Sequence, residues 1–146
     1  MDNNTVTDVA HAIQMSLAPV FLLSGISVLL GVLTSRLARV VDRARHMEAR
    51  LLTASESESH DLKQQLRILA RRARFMNWAI NLGTIAALLV ALTVIIIFAG
   101  AIYSFSLAEP LAFLFICAML ALVVALVLFL IEVALATRTI RIGPRE

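Results

Sequence analysis

The feature that most constrains this chain is where its charges are absent. No Asp, Glu, Lys or Arg occurs at residues 9–35, none at 75–108 and none at 110–131. At about 1.5 Å per helical residue, each run is long enough to cross roughly 30 Å of bilayer hydrocarbon. A backbone in hydrocarbon must satisfy its own polar groups, so such runs are read as helices. Composition agrees: 60% of residues are apolar and 16% charged, against about 45–50% and about 25% in soluble domains. Five glycines and three prolines argue against a disordered or collagen-like chain. The sequence predicts an all-α membrane protein with three transmembrane helices, at 13–35, 77–104 and 110–137.

Orientation follows from the basic residues. All thirteen fall in two places, ten from Arg36 to Arg74 and three (Arg138, Arg141, Arg145) in the tail. The positive-inside rule then puts the N-terminal segment 1–12 outside, with the basic stretch 36–76 and the tail 138–146 on the cytoplasmic side. The outer turn, 105–109, is short enough to force the last two spans into an antiparallel hairpin. The N-terminal segment carries Asp2 and Asp8 but no Lys or Arg, unlike the charged start of a cleavable signal peptide, so the first span is expected to be retained.

The stretch 36–76 reads as two amphipathic helices joined by a turn at 53–59, a serine-rich acidic string. Apolar residues recur at Leu37, Val40, Val41, Ala44, Met47 and Leu51, then at Leu62, Leu66, Leu69, Ala73 and Met76, the 3 and 4 spacing of a helical seam. The first two membrane helices are therefore expected to continue into a cytoplasmic antiparallel helical hairpin. Asp61 is expected near the N-terminal turn of the second helix. Gly143 and Pro144 end any helix in the tail.

The string SLAPVFLLSGISVLLGVLTSRLARVVDRARHMEARL at 16–51, above all LAPVFLL (17–23) and RLARVVDRAR (36–45), resembles the signature of a bacterial inner-membrane family, the domain of unknown function 2721. The basic second helix followed by two apolar spans is similar as well. The resemblance implies a bacterial cytoplasmic membrane location and this three-span shape. It implies no catalytic residue.

Three patterns are candidates for function. One face of the first helix reads Gln14, Ala18, Phe21, Gly25, Val28, Val32, Arg36, Arg39 and Arg43, passing from polar to apolar to basic. Around a shared axis in a homo-oligomer this stripe would line a pore, with an apolar gate and a basic vestibule; in a lone helix it would face lipid and solvent. A second face carries Ser16, Ser24, Ser27 and Gly31, and the second span has Ala79, Gly83, Ala87 and Ala91. Small residues let membrane helices approach closely, so these two ridges are expected to pack. Pro19 is expected to bend the first helix. Glu132, a carboxylate inside the third span, is either an ion or proton site or one half of a pair with a cation such as Arg74 or Arg138.

Other chemistry finds little purchase. His11, His46 and His60 lack metal-ligand spacing apart from the weak Asp8 and His11 pair, and Cys117 sits alone in an apolar run as a packing residue. No phosphate loop, nucleophile elbow or His-Glu-x-x-His string occurs, so neither enzyme, cofactor nor metal is expected. The basic stretch lacks aromatic platforms for bases other than Phe75 and Trp78, and attraction to lipid headgroups explains its charge without nucleic acid. Trp78 and Tyr103 read as interfacial anchors.

Two functions remain open. One is a homo-oligomeric, ion-conducting pore lined by the first helix. The other is a non-conducting interaction or scaffold module, whose hairpin docks a partner protein or anionic lipid through Lys63, Arg67, Arg71 and Arg74.

Overall fold

A computed structural model of the chain describes residues 3–103 and 108–138. The described residues form three helices: α1 (Asn3–Leu51), α2 (Glu56–Tyr103) and α3 (Ala108–Arg138). All three are long and apolar enough to cross a membrane, over Val6–Leu51, Glu58–Ile102 and Ala108–Ala136. The helix ends exceed the expected span limits because only the hydrocarbon limits a span, whereas the helix continues as long as its residues are good formers. α1 runs on through Pro19, and α3 opens ahead of Pro110, which sits in the first turn where a missing N–H leaves no gap. Most of the expected outer turn and all of the tail beyond Arg138 lie outside the described residues.

Contacts divide the chain into two compact units. The first is drawn from Met1–Leu30 and Leu82–Val124. Its core is Ile26, Ala86, Val90 and Ala118, with Leu22, Leu23, Leu30, Ala87, Leu89, Ala121 and Leu122 packed against it. Alanine is frequent here because association in lipid gains from close backbone approach rather than from expelling water. Gly83 shows how close: a Cβ built on it would stand 2.9 Å from Cδ2 of Leu30. The α1 residues turned inward are Ala12, Ser16, Pro19, Leu23, Ile26 and Leu30, at alternating steps of four and three. The buried hydroxyls of Ser16 and Thr93 bond back into their own helices, Ser16 Oγ donating to the Ile13 carbonyl at 2.8 Å and Thr93 Oγ1 to the Leu89 carbonyl at 2.9 Å, so neither is stranded.

The second unit is drawn from Gly31–Asn81 and Ala125–Glu146. Here α1 and α2 pack through Val40, Leu69 and Met76, flanked by Leu37, Ala44, Met47 and Ala73. These are the seam residues singled out from spacing. The connection is shorter than expected. α1 ends at Leu51 and α2 begins at Glu56, leaving a turn at 52–55 rather than 53–59. The Thr53 amide and hydroxyl both donate to the Arg50 carbonyl at 3.2 Å, and the Ser59 amide donates to the Ser55 carbonyl at 2.9 Å, opening α2. Ser55 followed by Glu58 has the spacing of a capping box, and Glu56 and Glu58 lie in the first turn of α2 where negative charge opposes the helix dipole. The acidic serine string therefore starts a helix, a full turn ahead of Asp61.

Outward-facing residues stay apolar in the first unit: Phe21, Val28, Ile95 and Phe113 are all exposed, the most open of them, Phe21, by 74%. So many uncovered large side chains would be a liability in water and are ordinary in lipid.

Candidate functional site: a buried carboxylate between two arginines

The site lies in the second unit and starts from Glu132, which is completely buried. A lone carboxylate in such a place would carry a large desolvation penalty. Two guanidinium groups answer it. Arg72 Nη2 donates to Oε1 at 2.7 Å and Arg36 Nη1 donates to Oε2 at 3.0 Å, so each carboxylate oxygen holds one arginine. Both contacts have charge-assisted hydrogen-bond lengths. The Arg36 guanidinium also lies over the Phe129 ring, 5.4 Å from its centroid, which favours a cation desolvated on that side.

Each helix supplies one member, and each by register. On α3, Ala118, Ala125 and Glu132 are buried at seven-residue intervals, so the carboxylate occupies the inward row. On α2, Arg72 stands between Leu69, Ala73 and Met76, which pack against α1. On α1, Arg36 adjoins Leu37 and buried Leu33.

The charges do not cancel. Two cations meet one anion, and Nε of Arg72 is buried without a hydrogen-bond partner. Beside the cluster opens a cleft of about 280 Å³ lined by Arg36, Arg39, Val40, Arg72, Met76, Glu132 and Ala136. Its rim thus adds a third guanidinium, that of exposed Arg39. The arrangement has donors and positive charge in excess and offers no nucleophile. Among the described residues no three His, Cys, Asp or Glu side chains gather as a metal site would require.

Of the two cations named as examples of a partner for Glu132, one is described in full and is not bonded to it. Arg74 points to the exposed face of α2, two residues from Arg72 and therefore about 200° round the helix. The Arg138 side chain lies outside the described residues. Arg36, expected on the pore-lining stripe, is instead only partly exposed and bonded to Glu132. The rest of that stripe, Gln14, Phe21, Gly25, Val28, Val32, Arg39 and Arg43, is exposed.

The packing ridges divide differently. Ser16 is buried, but Ser24, Ser27 and Gly31 are exposed, and the Ser24 and Ser27 hydroxyls return to carbonyls of their own helix at 3.3 and 2.9 Å. Nothing lies within 4 Å of a Cβ built on Gly25 or Gly31. On α2, Ala79 and Gly83 are buried while Ala87 and Ala91 are half-buried. The α2 ridge thus faces the larger residues of α1, such as Leu30, because a small residue opposite a large one fills space that two small ones would leave empty. Lys63, Arg67, Arg71 and Arg74 are all exposed, Arg71 lying 5.8 Å from the Phe75 ring centroid.

No curated protein and no solved structure matches the chain. A family model does, over residues 16–142, which include α1 from Ser16 onward, all of α2 and α3, and each member of the arginine and glutamate cluster. The chain belongs to the family described as protein of unknown function DUF2721.

Proposed function

We propose that this chain is a non-conducting interaction module of the bacterial cytoplasmic membrane, with its N-terminus outside and its basic hairpin in the cytoplasm, where the hairpin docks an acidic partner protein. The observation that carries this reading is the stripe Lys63, Arg67, Arg71 and Arg74. All four are exposed at steps of four, four and three along α2, and none belongs to an ion pair among the described residues. Four cations on one helical face form a patch that attracts an acidic surface and raises its association rate. Among the described residues the one deeply buried ionisable group, Glu132, already has two arginines, which argues for a structural clamp over an ion relay.

Replacing the four stripe residues with Gln in the full-length protein tests the reading. Cross-linked partner recovery from native membranes should fall while the protein still inserts and assembles. Unchanged recovery would sink it.

One observation favours a second reading, the homo-oligomeric pore. Gln14, Phe21, Gly25 and Val28 are exposed, so packing within the first unit leaves this face of α1 available to other copies. Three helices are too few to enclose a channel alone, so this reading requires a ring. The mass of the protein in lipid nanodiscs decides first: a monomer or dimer ends the pore reading. A ring of about four or more makes ion flux through Phe21→Ser and Val28→Ser the next measurement.

A further inference from the structure

We propose that the cleft beside Glu132 is a binding site for the phosphodiester of an acidic phospholipid, held by Arg36, Arg39 and Arg72. The inference rests on the chain spanning a bilayer and is independent of partner docking by the Lys63 stripe.

Three observations converge. The first is charge: three guanidinium groups and one carboxylate line the cleft, a formal excess of two positive charges. Both Glu132 oxygens are bonded to arginines and the residue is fully buried, so its negative charge is already spoken for. The second is unused donor capacity. Arginine presents five N–H donors in a planar fork, whereas Arg72 spends Nη2 on Glu132 and has Nε buried with no partner. Arg36 likewise spends Nη1 on Glu132. A tetrahedral anion with several acceptor oxygens matches forks of this kind, which is why arginine predominates where phosphate is bound. The third is room: about 280 Å³ is the liquid volume of roughly nine waters, enough for a phosphodiester and part of its headgroup.

Position along the helices identifies the source of the phosphate. Arg36 is the first charged residue after the run 9–35, Arg72 lies within three residues of the run 75–108, and Glu132 directly follows the run 110–131. All three groups therefore sit where apolar sequence gives way to polar sequence, the depth at which headgroups lie. Basic pockets between membrane helices at this level bind acidic headgroups. The excess of two charges selects an acidic lipid over a zwitterionic one, whose own ammonium group would have to share the cleft.

The test is native mass spectrometry of the full-length protein, released from nanodiscs holding equal amounts of phosphatidylglycerol and phosphatidylcholine. Wild type should retain phosphatidylglycerol in preference to phosphatidylcholine by about tenfold, the size of one good charge-assisted contact. Arg39→Gln, which touches no ion pair and should leave the fold intact, should remove most of that preference, and Arg39→Lys should restore part of it. Arg45→Gln, which deletes one exposed charge of α1 outside the cleft, should keep the preference. Equal retention of both lipids by wild type would overturn the proposal. So would an Arg45→Gln loss as large as that of Arg39→Gln, which would mean diffuse attraction with no site, or displacement of the lipid by millimolar inorganic phosphate, which would mean a free-anion site. Partner recovery plays no part in this readout, so failure of the cleft and failure of the docking stripe are distinguishable.

Discussion

Glu132→Gln is the substitution that most directly tests how this structure holds together. The change is nearly isosteric and deletes one negative charge, so its effect is electrostatic rather than steric. It leaves the guanidinium groups of Arg36 and Arg72 facing a neutral amide in which an NH2 donor replaces one of the two accepting oxygens, so that in the present geometry one arginine meets a donor. At an effective dielectric constant near 20, an opposite charge at about 4 Å contributes about 4 kcal/mol. Arg72, 20% exposed and 2.7 Å from the carboxylate, carries most of this, whereas Arg36, 36% exposed, is discounted for screening. Mutual repulsion of the two arginines, already present in the wild type, goes uncompensated in the variant. Breaking a buried pair by removing one partner is worth about 3–5 kcal/mol, and we expect Glu132→Gln to fall in that range. Unfolding in mixed micelles, followed by fluorescence of Trp78, the single tryptophan, measures it. Replacing all three residues with Leu should recover most of the loss, because an apolar cluster of similar volume replaces a buried ion cluster with little penalty. A Glu132→Gln destabilisation below about 1 kcal/mol would refute the clamp, since that is the range of solvent-screened surface pairs.

Other expectations follow from the same contacts. Gly83→Leu should weaken the first unit, because even a methyl group there meets Leu30 Cδ2 at 2.9 Å; overpacking of this kind is worth about 1–3 kcal/mol, while Gly31→Ala, with nothing within 4 Å, should leave the protomer's unfolding midpoint unchanged. Leu69→Ala should destabilise the α1 and α2 seam by about 2–4 kcal/mol in the same unfolding assay. A cysteine at exposed position 67 in a Cys117→Ala background should react with an impermeant maleimide only in inverted vesicles; labelling of intact cells would reverse the inferred orientation.

The architecture was legible in the chain to an unusual degree. Three uncharged runs, each about 22 residues or longer, read as helices long and apolar enough to span a bilayer, since a helix satisfies its backbone polar groups within one segment, and the 3 and 4 spacing from Leu37 to Met76 marked residues that pack. Its place inside a long apolar segment also named Glu132 as the carboxylate needing an explanation. The start of α2 was placed too late, because the composition of 53–59 reads as a loop; the capping-box spacing of Ser55 and Glu58 is the signal that marks it. What the sequence could not decide was which face meets which. A stripe of small residues and a stripe of larger ones on α1 are both possible contact surfaces in lipid, where burial carries no hydrophobic reward and shape fit decides; tertiary packing turned Ile26, Leu30 and Leu33 inward and left Ser24, Ser27 and Gly31 outside. Glu132 had many cations to choose from in ten basic residues at 36–74. Only the assembled register of three helices brought Arg36 and Arg72 to it, because a charge pair depends on a few ångströms of separation while the sequence records only order along the chain.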